Sequence, residues 1–536
     1  MHAPETDYMS EEPVYLKPNV LAEPLIDQWY AWSYLIPPVQ SAMYLANAHL
    51  KIMQSFIAAP KVHAAAVKNP AMAGGAFMNC DPSRTDEVRA LMEDTKKQQR
   101  NLLKLAEDIK SLDLLLGGAD GTSLEPFYSK VPDGLRGFVE LFYDMHNNAS
   151  FRLLEPLMYR SRYYDDSRQS MALSLVFEDG RPFVFSTPRL QERNSVHLKT
   201  PLNSSGLDEL FEMKVRPKPA SQIADRFGVD AGDKVFQSLF TNEPAHVDRG
   251  PLIEGVRVRY FGHACVLIET ADVTILCDPL ISYRYDSGAP RFTFDDLPPK
   301  IDYVLITHNH QDHCMFETLL QLRYKIGAVI APRSIGGSLV DPSLKLILQQ
   351  IGFRDVREIE ELQSIEIDGG SITGIPFLGE HADMNVRSKI AYVIKLKDKS
   401  IVCAADSNNL DPAVYDHIRD LIGRVDILFL GMECDGAPLT WLYGPLLSSP
   451  MPRNADKTRR FDGSDCQKGM NIVRTLNPSK VYVYAMGQEP WLTFLTSIQY
   501  TSQSKPIVES DKLVDECARL HIKSERLFGC RNISFD

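Results

Sequence analysis

The sequence predicts an α/β protein with two unlike halves. Residues 1–248 read as a mixed α/β amino-terminal domain, and 249–536 as two sheets flanked by helices. Three observations carry this. A chain of 536 residues exceeds what one core fills, so two or three domains are expected. A stretch rich in Pro, Gly and charge, TNEPAHVDRGPLIEG at 241–255, interrupts the apolar patterning. Beyond it the pattern changes to short apolar runs, some joined as hairpins and some separated by helical stretches.

In the amino-terminal half, PPVQSAMYLANAHLKIMQSFI (37–57) has helical spacing after a Pro-Pro start. Residues 81–116, from DPSRTDEV to SLDLLL, predict one long amphipathic helix, capped by Ser83 or Thr85 and stopped by GGADG. GLRGFVELFYDMHNN (134–148) predicts a third helix. MALSLVFEDGRPFVFSTPRL (171–190) alternates on both sides of Asp179-Gly180 and predicts a hairpin. His49, His63, His146 and His197 are scattered, so no catalytic cluster is expected here.

In the carboxy-terminal half, VRVRYFGHACVLIET (256–270) and VTILCDP (273–279) predict strands with a turn at Ala271-Asp272, and DYVLITH (302–308) a buried strand. AVIAP, SIEIDGGSITGIPF, KIAYVIKLKDKSIVCAAD, VDILFLGM and KVYVYAM continue the series. MFETLLQLRYK, DPAVYDHIRDLIG and QKGMNIVRTLN supply helices between them.

Composition is ordinary for a globular chain, 44% hydrophobic and 24% charged. A net charge of -12 argues against nucleic acid as the main partner. The nine cysteines include no CxxC pair, so no disulfide framework is expected. The polar, acidic first residues lack the order of a signal peptide, and no run of 18 apolar residues predicts a membrane span. A cytoplasmic protein is the expectation.

The chemistry concentrates in YVLITHNHQDHCMF (303–316), with three histidines and an aspartate within six positions. The strand delivers His308 to a loop. His310 at i+2 can face the same way, and Asp312 and His313 follow where a helix begins. Helix capping accounts for one aspartate but not for three imidazoles. Such a loop can serve two metals roughly 3.5–4 Å apart, His308 and His310 on one, Asp312 and His313 on the other.

HxHxDH at this position, after GHACVLIET and ILCDP, resembles the metallo-β-lactamase fold superfamily over about residues 252–500. The resemblance implies an αββα sandwich with its site at one sheet edge, a bridging aspartate and one further ligand. Asp406 in IVCAADSNN fits the bridge. FLGEHADMN offers Glu380 or His381 for the further ligand. His381 would give three imidazoles on one metal, which suits a dinuclear zinc hydrolase of phosphodiesters, lactones or thioesters. Glu380 would give an oxygen-rich site that suits iron and dioxygen. Neither His417 nor His521 follows a strand end, so a last histidine on the second metal is not expected.

With GEHADM, AADSNNLDP, ECDGAPLTWLYGPL and YAMGQEPWL added, the whole chain resembles the CmlA-type diiron β-hydroxylases of amino acids tethered to non-ribosomal peptide synthetases. That resemblance implies His308, His310 and Glu380 on one iron, Asp312 and His313 on the other, Asp406 bridging, and His381 behind them. It implies an O₂-dependent monooxygenase of antibiotic biosynthesis with two Fe ions and an external two-electron donor. Its substrate would be an aminoacyl thioester on a phosphopantetheinylated peptidyl-carrier domain. The amino-terminal domain would support a homodimer and frame the substrate entrance. Glu433, after the buried strand VDILFLGM, is a candidate catalytic proton relay. His263 and Asp278 are candidates to orient ligands, and Trp441, Tyr443 and Trp491 to line a substrate channel. Arg453, Lys457, Arg459 and Arg460 form a basic loop that could dock a carrier.

Overall fold

The computed structural model describes residues 12–245 and 254–535, so the boundary expected between 248 and 249 lies outside the described residues. In the carboxy-terminal half, a pair of seven-stranded sheets stack face to face. The first runs in the order Val356–Ile359, Ile326–Pro332, Ile301–Leu305, Thr274–Cys277, Val266–Glu269, Arg257–Tyr260, Arg531–Ile533. The second runs Ser364–Ile367, Gly370–Ile375, Ala391–Leu396, Lys399–Cys403, Ile427–Gly431, Lys480–Tyr484, Lys523–Arg526. Each sheet is an antiparallel meander on one side and a parallel array on the other. Strands covered on both faces carry continuous apolar runs, and Ile427–Gly431 is buried at every position.

Val258, Val266, Ile275, Tyr392, Ile401 and Phe429 meet between the sheets. Helices Ala413–Ile422, Cys466–Leu476 and Lys505–Arg519 cover the outer face of the second sheet. Outside the first sheet lie helix Phe316–Leu322, helix Leu344–Gln350 and the amino-terminal half, whose Leu16, Val20, Leu207 and Phe211 share one core with Leu267, Leu276 and Val304. The chain changes sheets at 527–530. There the Leu527 N–H donates to the Val483 carbonyl, and Gly529 turns left-handed (φ 73°) where a Cβ would lie 2.4 Å from the Pro290 carbonyl oxygen.

The amino-terminal half holds an antiparallel sheet in the order Trp29–Tyr30, Val20–Ile26, Gln169–Leu175, Ser195–Leu198. Residues 38–58 are helical as expected, with a π turn at Leu45–His49 that seats the His49 ring on Trp29, centroids 3.9 Å apart. A second core joins Tyr34, Met43, Phe56 and Leu105 to Val386, Leu439, Tyr443 and Phe461 from the loops above the sandwich. A buried ion network joins the halves lower down. Arg181 donates to both carboxylate oxygens of Glu317, at 3.1 and 2.7 Å, and to Glu23 at 2.6 Å. Tyr30 and Tyr283 also donate to Glu317.

Five local expectations are corrected. The long helix is two, Thr85–Gln98 and Arg100–Leu116, broken where the Gln99 amide donates to the buried Asp27 carboxylate at 2.7 Å. Its start is organised by Asp81, which accepts from the Ser83 N–H, rather than by Ser83 or Thr85. Residues 134–148 form no α-helix, only the end of a 3-10 turn at Asp133–Leu135. Val139–Tyr143 pairs with Ala149–Leu153, and Asp144 accepts from the N–H groups of His146 and Asn148 to close the turn. The hairpin at Asp179-Gly180 is absent because Arg181 is drawn into the ion network and Pro182 has no N–H for a ladder. The basic stretch is partly a short helix, Arg453–Thr458, rather than a loop.

Candidate metal centre

The parallel strands of both sheets end along one edge, where ligands gather in open α/β sheets. Asp278 follows Cys277, the 306–315 loop follows Leu305, Asp406 lies three residues past Cys403, and Glu433 two past Gly431. The backbone around this edge is left-handed at His263 (φ 51°), Asp278 (38°), Glu380 (64°), Ala405 (47°) and Ala485 (52°). Non-glycine residues rarely adopt this, and each costs roughly 1–3 kcal/mol, which only a firmly packed surround sustains.

All six residues expected as ligands come together, each no more than 9% exposed. Three overlapping groups place donor atoms within 4.8 Å of one another: His308, His310 and Glu380; His308, His313 and Asp406; and His263, Asp312 and His313. Nδ1 of His310 is 2.9 Å from Glu380 Oε1, and Nε2 of His308 is 3.8 Å from Glu380 Oε2 and 3.9 Å from Asp406 Oδ2. Nε2 of His313 is 2.9 Å from Asp406 Oδ2.

A buried donor set of this kind fits metal ions. Nε2 of His308 and Oδ1 of Asp406 are buried without a hydrogen-bond partner. Such orphaned groups are costly unless something they can bind lies between them. The mixture of imidazoles and three carboxylates suits a first-row transition metal.

The electrostatics agree. Burial pushes the Glu380 carboxyl up to about 7, and Asp406 adds to this against the opposing pull of His381. Burial takes His310 and His381 down to about 4. Burial also depresses His308, helped by His313 and His310. His313 runs the other way: Asp406 and Asp278 outweigh burial and raise it well above the usual imidazole range. Burial opposes ionisation of Asp312, yet the His263 hydrogen bond and the neighbouring imidazoles hold it below the usual carboxylate range.

A second layer fixes these side chains. Asp278 lies 2.8 Å from His313 Nδ1 and accepts from the Thr307 N–H and hydroxyl at 2.7 and 2.6 Å. The Gly487 N–H donates to His263 Nδ1 at 3.2 Å, which leaves Nε2 to carry a proton toward Asp312 Oδ2, also 3.2 Å away. Glu489 accepts from the Tyr260 hydroxyl at 2.6 Å and the His263 N–H at 3.1 Å, tying down the hairpin that bears His263. Sequence reasoning picks out His263 and Asp278 but misses Thr307 and Glu489. Thr307 adjoins His308, and Glu489 lies within YAMGQEPWL, so both carry a positional signal.

His381 stands behind Glu380. Its Nδ1 is 2.9 Å from Glu380 Oε2, and its ring stacks on His310, centroids 4.5 Å apart and 29° between planes. Of the aromatic candidates, Tyr443 is fully buried with its hydroxyl 3.4 Å from His310 Nε2. Trp441 walls a cavity of about 560 Å³ with Tyr44, Phe183 and Phe185 and contacts Phe461, which in turn touches His310. Trp491 packs in the core of the first sheet. Glu433 is half-buried; burial, then Asp406, Asp312 and Glu380, push its carboxyl well above the usual range. In the basic stretch, Arg459 turns inward to the Ala382 carbonyl and Arg460 pairs with Asp435 at 3.2 Å. His417 and His521 belong to none of the three donor groups found among the described residues.

Comparison with known proteins agrees over both halves. Residues 15–244 match the diiron non-heme beta-hydroxylase N-terminal domain, and 257–440 a beta-lactamase superfamily domain. Over 509 residues the chain is 40% identical to the 4-amino-L-phenylalanyl-(CmlP peptidyl-carrier protein) 3-hydroxylase of Streptomyces venezuelae, covering 93% of this chain and 95% of that one. The crystal structure of CmlA, a diiron beta-hydroxylase from Streptomyces venezuelae, superposes with a TM-score of 0.92 at 39% identity, over 98% of this chain and 100% of that one. A UPF0173 protein of Pyrococcus abyssi is 31% identical over 203 residues, 37% of this chain and 82% of its own length.

Proposed function

The chain belongs to the diiron non-heme β-hydroxylases, and from that premise we propose that it hydroxylates the β-carbon of an aminoacyl group held as a thioester on a peptidyl-carrier domain. The relative's own substrate, an aminophenylalanyl group on a carrier protein, supports this choice of substrate class. His308, His310 and Glu380 would hold one iron and Asp312 and His313 the other, with Asp406 able to serve both. The observation that carries the assignment is the Glu380 carboxylate grouped with His308 and His310, with His381 stacked behind. Membership of a hydroxylase family over both halves weighs against the zinc hydrolase alternative.

Irons bound there supply the dioxygen chemistry, taking two electrons from an external donor. The balance is one Cβ–H, O₂, two electrons and two protons in, one Cβ–OH and one water out. The chain's residues hold the geometry. Asp278 keeps His313 Nε2 facing the cluster, and Tyr443 takes up His310 Nε2 so that Nδ1 faces inward. A neutral Glu433 carboxyl, half-buried beside Asp406 and Asp312, holds a proton for the departing water. We further place the domain boundary at 248/249 and the enzyme, as a homodimer, in cytoplasmic antibiotic biosynthesis.

Intact-protein mass spectrometry of aminoacyl-loaded carrier domains, incubated with iron-loaded enzyme, reductant and O₂, tests the proposal. A gain of one oxygen atom on the carrier is expected. Unchanged mass across aromatic and branched aliphatic aminoacyl groups, with zinc in the purified protein, would overturn it.

A further inference from the structure

The loop that presents Glu380 is unusual in its backbone. Gly379, Glu380, Ala382 and Asp383 all lie in the left-handed region, at φ 67°, 64°, 50° and 58°. A Cβ at position 379 would meet the Asn408 Cβ at 2.5 Å, so glycine is required there. The loop's own main-chain contribution is a turn bond from the Met384 N–H to the His381 carbonyl. Left-handed runs of ordinary residues do not hold themselves in place.

Two cationic side chains grip this loop from rigid neighbours. Lys389 Nζ donates to the Gly379 carbonyl at 2.9 Å. Arg459 Nε donates to the Ala382 carbonyl at 3.0 Å, and its Nη2 lies 3.0 Å from Met384 Sδ. The Lys389 backbone bridges to that of His308, beside the Ile390 N–H bond to the Thr307 carbonyl at 2.8 Å, and buried Asp341 accepts from the N–H groups of Arg387 and Ser388. Arg459 lies on a segment zipped to 437–439 by the Leu439 N–H bond to its carbonyl and the Phe461 N–H bond to the Ala437 carbonyl, each 2.9 Å. The gripped carbonyls flank Glu380 and His381. Hydrogen bonds from charged donors are about twice as strong as neutral ones.

We propose that Lys389 and Arg459 are positioning residues that hold the Glu380 carboxylate at the metal centre by clamping the peptide carbonyls on either side of it. The inference rests on the ligand assignment above. It also gives a task to Arg459 that differs from meeting a carrier at the surface.

The test is a double-mutant cycle on apo-protein titrated with cobalt(II). Arg459→Met and Lys389→Met are each expected to weaken cobalt binding about 10–100-fold, the range for residues that orient a ligand. In a Glu380→Ala background, with cobalt raised to millimolar concentrations, either substitution is expected to change affinity by less than about twofold, because the side chain it positions is gone. Equal losses in both backgrounds, or no loss in either, would overturn the clamp. Thermal melting in chelator identifies the folded variants. Where a methionine variant does not fold, Arg459→Lys or Lys389→Gln takes its place in the same cycle, with the loss expected near the lower end. Cobalt binding needs neither iron nor dioxygen, so a failure of the hydroxylase reading leaves this result interpretable, and the reverse also holds.

Discussion

Glu380 and His381 are adjacent, chemically plausible and both buried, yet they do different things. The difference is set by the left-handed turn at Glu380, which turns its carboxylate toward His308 and His310 and stacks the next ring behind it. Glu380→Ala is therefore expected to remove most iron from the purified protein, whereas His381→Ala weakens retention only about 10-fold, as for a residue that steadies a ligand; iron per chain by atomic emission, after dialysis against a mild chelator, separates the two. Glu433 has a different task. Glu433→Gln keeps the shape but not the transferable proton, so iron content and spectrum should match wild type while turnover falls about 10²–10⁴-fold. Single-turnover product formation reads this directly.

The HxHxDH loop is legible in sequence because all its ligands fall within six residues at a strand end, where local spacing fixes direction. Asp406 is legible for the same reason. Glu380 is not separable from His381 by residue type, because the sign of φ in an irregular loop is a tertiary result. Apolar spacing also misleads at 134–148. Leu135, Val139 and Tyr143 fit a helix face, but Val139 and Leu141 fit a strand equally, and Asp144 settles the matter by closing a turn. The hairpin at 179–180 is lost to a partner far away in sequence, Glu317. The Glu380 loop gives a prediction at this scale: Gly379→Ala, left-handed and crowded by Asn408, should fold but lose iron occupancy, seen as a weakened charge-transfer band with unchanged far-ultraviolet circular dichroism.

Across the whole molecule, the amino-terminal half replaces an outer helical layer of the sandwich and is pinned to helix Phe316–Leu322, which starts just past the ligand loop. The pin is ionic. Burial alone would raise the Glu23 carboxyl, but Arg189 and Arg181 bring it down to about 2. Its folded-state value lies below the unfolded one, so the unfolded chain takes up the proton first as pH falls. The contribution, about 3 kcal/mol, is complete above roughly pH 4.5 and fades toward pH 2. Glu23→Gln should flatten that acid limb in a stability-versus-pH series. Arg181→Met, which leaves the buried Glu317 carboxylate to the Tyr30 and Tyr283 hydroxyls without its cation, should cost about 3–5 kcal/mol at neutral pH. The crossing at 527–530 has a consequence for biosynthesis. Strand Arg257–Tyr260 finds its outer neighbour, Arg531–Ile533, only about 270 residues further along the chain. On the ribosome that edge stays bare until residues 531–533 have emerged, so a chain stalled before them offers an open strand to passing polypeptides and to chaperones.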